Sequence, residues 1–330
     1  MATVTKTIHK TTGDYSTIAA WEAATNLNSG ADIWKGVISD AAAYDEAVTI
    51  NAGGTGTSSY IWLTADSAVA HAGVAGTGHA RMNYTGTATD AIEIASSFVR
   101  VDWLEIQRSG GSFGNSDEAI RVSSGADDVL IDYCILWAAT STQSDTDGIY
   151  IGASASNPVN VSNSVIYGWV RGGIHLQQFS GNNTVVVNAD HNTVAYVGQG
   201  TDEAPYNLNQ AGTATSTLNT YNSVAMGRIS GTNRDIHLFA QNASSVCVLA
   251  GSHNAVNSVT TAGAGTNTQN QTSSVAATDG VVDSAPATAG VYVTDYTGVT
   301  TFDFTPVDHA NNVILEAGTN RQGSDRKSVV

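Results

Sequence analysis

Acidic residues gather at regular places in this chain: Asp90, Asp117, Glu118, Asp145 and Asp147. They stand just ahead of short apolar runs, within or near which lie Arg121, Tyr150 and His175. On adjacent turns of a repetitive fold these side chains would line one groove. Two carboxylates across a groove are what glycoside hydrolysis requires, and their separation decides the stereochemical outcome. The same carboxylates could hold Ca²⁺ for a lyase, with arginine as partner of the base. The catalytic set would be Glu118, Asp145, Asp147, Arg121 and His175. A face that binds a glycan without cleaving it would use Glu93, Arg121, Tyr150, His175 and His237. The structural alternative is that Asp and Glu stand at strand starts because turns favour them and the face is wet. The sequence favours this alternative, so no catalytic residue is assigned.

Other chemistries lack their residues. No Ser carries a triad signature, no Gly-rich loop ends in Lys, and there is no His-Glu-x-x-His. His191 and His253 each precede an Asn and read as packed or turn residues. His175 and His237 fall two repeats apart, too distant to share a metal if repeats stack about 4.8 Å apart. Cys134 and Cys247 lie in apolar runs and read as two buried thiols, without neighbours for a zinc site. No metal or other cofactor is expected, Ca²⁺ entering only with the lyase alternative.

The elements that must position these residues follow from a repeat of about thirty residues. Its first positions are Trp103, Tyr133, Asn163, Asn192, Asn222 and Asn254, in steps of 30, 30, 29, 30 and 32. A fixed period of this size means one unit stacked on itself. Two residues on come Glu105, Ile135, Val165, Val194, Val224 and Val256, and four on come Gln107, Trp137, Tyr167, Tyr196, Met226 and Ser258. Strand parity places all three columns inside, provided the strand does not bend. Asn163, Asn192, Asn222 and Asn254 would then form a buried amide ladder, and the aromatics an interior stack. A second strand column, from Ile92-Glu93-Ile94 to Ile236-His237-Leu238, turns Glu93, Arg121, Tyr150, His175 and His237 outward. Residues 14–25 read as a helix started by Asp14 that plugs the first coil. The expected layout is an N-terminal strand and cap over 1–30, coils over 31–315 and a polar tail over 316–330. Residues 260–280 read as a thin coil or exposed loop. Strands are expected again near 290–293, 301–304 and 312–315.

Lys and Arg number 13 and Asp and Glu 29, so 13 − 29 = −16. This excess disfavours nucleic acid and anionic membranes as partners. Basic residues near the ends (Lys6, Lys10, Arg321, Arg326 and Lys327) could meet an acidic partner or simply be solvated. Charged residues are 13% and 33 residues are Gly, a composition of secreted or virion proteins. The start, Met1 to Lys6, has no apolar signal core. That combination suits a protein made in a host cytoplasm and released by lysis; a cropped chain would look the same.

The Asn, Val and Ile columns and the helix before them resemble the right-handed parallel β-helix family, the pectate-lyase-like solenoids. Thr12-Gly13-Asp14-Tyr15-Ser16-Thr17-Ile18-Ala19-Ala20-Trp21 is similar to the start of such proteins encoded by bacteriophages and prophages. Asp303-Phe304-Thr305-Pro306 through Asn320 and Arg326 is similar to their close. Ser144-Asp145-Thr146-Asp147-Gly148-Ile149 resembles the Asn-Thr-Asp motif of polygalacturonases. That family also needs an Asp pair, Gly-His-Gly and Arg-Ile-Lys. Here stand only Gly172-Gly173-Ile174-His175 and Arg228-Ile229-Ser230, so its catalytic set is incomplete. The resemblance implies an all-β, right-handed, single-stranded parallel β-helix with a short N-terminal capping helix. It implies a virion structural protein, on the head surface or tail, leaning away from an enzyme. A homotrimer is expected, in contact with a major capsid or tail protein. The alternatives are a tailspike-like polysaccharide lyase or glycoside hydrolase, or a non-catalytic adhesin for a host surface glycan.

Overall fold

The computed structural model describes residues 2–24, 33–73, 75–76, 78–86, 90–109, 117–138, 146–152, 157–178, 184–197, 204–227, 235–252, 254–256 and 259–272. The chain is an all-β, right-handed parallel β-helix with almost no helix. Each coil adds one strand to each of three parallel sheets. In one coil Val129–Asp132 lies in sheet 1, Ile135–Ala138 in sheet 2 and Asp147–Ile151 in sheet 3; Val159–Ser162 then begins the next coil. Equivalent residues stack in register, Val129 on Val159, Ile135 on Val165 and Ile149 on Ile174.

Alternation decides what enters the core. Sheet 1 sends in Val99 and Val101, Val129 and Ile131, Val159 and Val161, all fully buried. Sheet 3 sends in pairs such as Ile120 with Val122 and Ile149 with Ile151. Each such side chain contributes about 1.5–3 kcal/mol when buried. Sheet 1 is the element that the sequence reading, with two strands per coil, did not anticipate. Its signal is the period-two pattern of Val99-Arg100-Val101-Asp102 and Val159-Asn160-Val161-Ser162.

The inward assignment of the thirty-residue phrase is corrected by the corner between sheets 1 and 2. Its first residue takes a left-handed backbone: φ is 56° at Trp103, 48° at Tyr133, 50° at Asn163, 56° at His191 and 50° at Asn222. Asn adopts this conformation more readily than most residues. The bend resets strand parity. It also shifts the columns, because Val165 stacks on Thr193 and Thr193 on Val224, which sets Asn192 level with Ser164 and Ser223. The expected single ladder is therefore two sets of residues.

Asn163 and Asn222 stand at the corner and donate outward, to Asp132 at 2.8 Å and Asp190 at 3.3 Å. Asn192 and Asn254 are buried one position later. The Asn192 amide donates to the Val161 carbonyl at 2.7 Å and accepts from the Ser164 N–H at 3.0 Å. Asn254 donates to the Thr220 carbonyl at 2.8 Å and accepts from the Ser223 N–H at 3.1 Å. Ser164 and Ser223 accept from the N–H groups of Cys134 and Asn192, both at 3.1 Å. The buried ladder thus runs Cys134, Ser164, Asn192, Ser223, Asn254. A further amide ladder, unforeseen in the sequence, links Asn160, Asn188 and Asn219 on sheet 1, with both bonds 2.9 Å.

The other two phrase columns are corrected in part: Val194 and Val256 face the core as expected, and the other described members do not. The continuous core takes Ile106, Leu136, Ile166, Val194 and Ala225 from sheet 2. Glu105, Ile135, Val165, Thr193 and Val224 occupy the opposite face, yet they are buried too. Trp137 and Tyr167 share that face and stack at 5.8 Å and 9°. Ser258 and the side chains of Tyr196 and Met226 lie outside the described residues.

The cap is shorter than expected and starts differently. The helix, α1, spans Ile18–Ala24. Its free N–H groups at Ile18 and Ala19 donate to the Glu46 carboxylate at 2.9 and 3.0 Å, while Thr17 accepts from Ala20 at 3.0 Å. Asp14 instead accepts from the Thr7 N–H at 2.9 Å. Ile18 and Trp21 bury fully at the end of the first coil. Trp21 passes so close to Gly36 that a Cβ there would lie 2.5 Å from its ring. At the far end, Val259–Ala262 and Thr266–Thr272 are strands of sheets 3 and 1 rather than a loop. Their side chains are small and polar, which hid them. The strands expected beyond 290 and the tail lie outside the described residues.

Asn192→Ala leaves buried N–H and C=O groups without partners and should cost about 1–3 kcal/mol. Asn219→Ala, at the half-buried end of the outer ladder, should cost less, about 0.5–1.5 kcal/mol. Urea unfolding midpoints compare the two.

Candidate functional site

The outer face of sheet 3 stacks Glu93, Arg121, Tyr150, His175, Asn207 and His237 in one column outside the core, as the alternation predicts, but Tyr150, His175, Asn207 and His237 are buried and not the exposed face expected. The starts of these strands bring Asp90, Glu118 and Asp147 beside it. Arg121 donates through Nε to Asp90 at 2.7 Å and through Nη2 to Glu118 at 2.7 Å. Arg171, one residue before the next strand, bonds Asp147 through Nε at 2.9 Å and again through Nη2. The same Nη2 stands 3.4 Å from Glu118. His175 Nδ1 lies 3.0 Å from Asp147 Oδ2. Tyr150 packs between: Arg121 is 4.8 Å from its ring centre, and His175 meets it edge-on at 5.6 Å.

The structure therefore unites Glu118, Asp147, Arg121, Tyr150 and His175. Others fall elsewhere. Asp117 turns to the buried Arg108, at 3.4 Å. Glu93 accepts from Ser123 at 2.7 Å. His237 is two coils from His175, with Asn207 between, as the spacing predicts. Asp145, Arg228 and His253 lie outside the described residues. Sequence reasoning missed Arg171. Its signal was its place directly before the Gly-Gly-Ile-His strand, the step at which the previous coil offers Asp147. Cys134 and Cys247 are the buried free thiols expected.

The two carboxyls are driven apart. Burial, a hydrogen bond with Asp90 and the charge of Asp147 push Glu118 up from 4.5 to about 10, against the pull of Arg121. Burial would also raise Asp147, but the charges and hydrogen bonds of His175 and Arg171 outweigh it and hold Asp147 below its ordinary value. Glu118 is thus a neutral acid and Asp147 an anion that orients His175. The buried His175 Nε2 has no hydrogen-bond partner. Such a split is what acid–base chemistry uses.

Access argues the other way. Glu118 and Asp147 are 0% exposed and His175 2%. The side chains of this network that reach solvent are Arg121 and, less, Arg171 and Asp90. The expected wet, carboxylate-lined groove is therefore replaced by carboxyls closed beneath their own guanidinium partners. The set does not fit Ca²⁺, which takes six to eight oxygens, because both Glu118 oxygens and Asp147 Oδ2 already face Arg121, Arg171 and His175, which leaves Asp147 Oδ1 as the one oxygen of the pair without a partner among the described residues.

Three solved β-helical structures are similar to this chain. Pectin methylesterase from Aspergillus niger is 14% identical, covering 81% of this chain and 84% of that one, with a TM-score of 0.41. Pectin methylesterase from carrot is 13% identical over 79% and 83%, with a TM-score of 0.43. Pectate lyase Pel9A is 13% identical over 95% and 86%, with a TM-score of 0.45. The likeness concerns the fold, and no residue role is carried across. No family model matches the chain, and no curated protein sequence does.

The two carboxyls should respond oppositely to amide substitution. Asp147→Asn strips Arg171 and His175 of their anion and should cost about 3–5 kcal/mol at neutral pH. Glu118→Gln should leave the urea midpoint at pH 8 unchanged or higher, since the group is already neutral. The sign follows from linkage. Glu118, raised on folding, supports the fold fully below its unfolded value of 4.5 and loses that support as pH climbs toward about 10. Asp147, lowered on folding, contributes above about pH 4 and fades as acid reaches its depressed value. Midpoints measured from pH 4 to 10 should thus fall more gently in Glu118→Gln than in the parent.

Proposed function

We propose that the chain is a structural protein of a bacteriophage particle, carried on the head surface or tail as a rigid β-helical element and not as a depolymerase. One observation carries the non-catalytic half of this reading. The groups that resemble a catalytic set are bonded to one another and closed to solvent, so a polymer laid on sheet 3 would meet guanidinium groups before either carboxyl. Support for the particle comes from the resemblance of Thr12–Trp21 to the opening of phage-encoded β-helices; part of that segment becomes the cap of the first coil. The net charge of −16 supports protein partners such as a capsid or tail protein and a sister subunit, in a homotrimer, over nucleic acid or membrane.

A second reading has its own observation. His175, oriented by Asp147 and beside a neutral Glu118, is arranged as a general base would be. A polysaccharide depolymerase would follow if Arg121 and Arg171 swing aside on binding.

Two measurements separate these readings. Mass spectrometry of purified particles from the producing host should find the chain at structural copy number; its absence from particles would end the proposal. Incubation with neutral and anionic polysaccharides should generate no reducing ends and no loss of viscosity. Cleavage that disappears in His175→Ala would establish the second reading instead.

A further inference from the structure

A groove of about 810 Å³ lies apart from the sheet 3 cluster, on the outer face of sheet 1. Its floor crosses three coils, where Thr5, Lys35 and Trp62 stack in register. Trp103, at the corner of the fourth coil, and the segment 65–72 close its sides. Three coil steps of about 4.8 Å give it a length of about 15 Å along the solenoid axis. That is room for a short chain of rings rather than one.

The wall is held in place before any ligand arrives. Burial lowers His71 to about 4, so its ring is neutral. Its Nδ1 accepts from the Gly73 N–H at 3.3 Å, and its Nε2 lies 2.7 Å from the Tyr133 carbonyl. Beyond the wall, Glu105 is fully buried and accepts from the Gly76 N–H at 3.0 Å, from Trp137 Nε1 at 2.6 Å and from His79. This explains the acidic residue in a mostly apolar column: it ties Gly76 and His79 to the solenoid. A site fixed in this way loses little ordering entropy on binding.

Trp103 is the aromatic side chain that the groove holds at its edge, with the His71 ring 5.8 Å away. It is 37% exposed and holds a left-handed backbone, which bulky residues avoid. Later coils place Asn163 and Asn222 at this corner. The indole lies flat on Tyr133, 4.4 Å away and 3° from parallel. The groove is also lined by the exposed hydroxyls of Thr5, at its far end, and Ser67, and Lys35 sits 3.6 Å over the ring of Trp62.

Flat aromatic surface beside hydroxyls and few charges suits a ligand with apolar faces and a polar edge, which is the chemistry of a pyranose ring. An extended peptide would find no backbone partners, because the floor is a sheet face whose N–H and C=O groups bond between strands. Lys35, the cation that lines the groove, is engaged with Trp62, and Asp66 stands on the rim. With a chain charge of −16, a polyanion is disfavoured.

We propose that this groove binds a neutral saccharide chain, with Trp103 as its stacking platform. The full chain is titrated calorimetrically with hexasaccharides of glucose, mannose and xylose and with a galacturonic acid hexamer. At least one neutral oligomer should bind saturably with Kd below about 1 mM, and more tightly than the acidic one. Trp103→Asn, which installs the residue that later corners carry, should weaken binding about tenfold or more with the circular dichroism spectrum unchanged. Ser67→Trp, which fills the groove from its exposed rim, should do the same and serves should Trp103→Asn fail to fold. The proposal falls if no neutral oligomer binds at about 10 mM, if the acidic oligomer binds best, or if binding survives the variants that fold.

Discussion

The residue that opens the corner between sheets 1 and 2 in five successive coils governs the middle of the molecule. Trp103, Tyr133, Asn163, His191 and Asn222 each turn the chain through the left-handed region. One such residue bends the strand and inverts the faces of everything after it. Because strands stack in register, the inversion repeats at the same place in successive coils. It puts Ile106, Leu136, Ile166 and Val194 into the core and sends Glu105, Trp137 and Tyr167 to the other side. It sets the following residue in the buried ladder of Ser and Asn. Where Trp and Tyr occupy the corner, it also displays aromatic rings at the solenoid's edge.

Parallel stacking makes each side chain the neighbour of its own equivalent, so any charge on a strand face meets whatever the next coil carries there. On sheet 3 the chain resolves this by pairing cations with acidic groups: Arg121 lies between Asp90 and the neutral Glu118, and Arg171 binds Asp147 of the coil before it and reaches Glu118. Burying such groups costs several kcal/mol per ion unless partners are well placed. The network is therefore sensitive to loss of one member and specifies which coil lies against which.

Much of this was legible in the sequence. The period of about thirty residues carried the solenoid, because stacking leaves equivalent residues at equivalent places. The outward column on sheet 3 was legible because Ile92-Glu93-Ile94 and its successors alternate cleanly. The phrase beginning at Asn163 misled because parity holds only along an unbent strand, and nothing in Asn-Ser-Val announces a left-handed turn. Asn163 and Asn192 look alike in sequence yet fall one position apart in the stack. The coil between them is shorter, 28 residues from corner to corner rather than 30. Arg171 escaped because a cation before a strand is ordinary; its meaning depends on Asp147 in the coil beneath. The groove beside Trp103 depends on a wall in which His71 meets the Tyr133 carbonyl, a long-range contact that no local pattern records.

Glycine substitution tests the corner directly. Glycine takes the left-handed conformation without steric cost, whereas at a ladder position it removes a buried hydrogen-bonding side chain. His191→Gly and Asn222→Gly should hold or raise the urea unfolding midpoint, while Asn192→Gly and Ser223→Gly, one residue later, should lower it. The reverse order, with the corner variants weaker than the ladder variants, would contradict the assignment of faces on which the account of core, ladder and exposed aromatics rests.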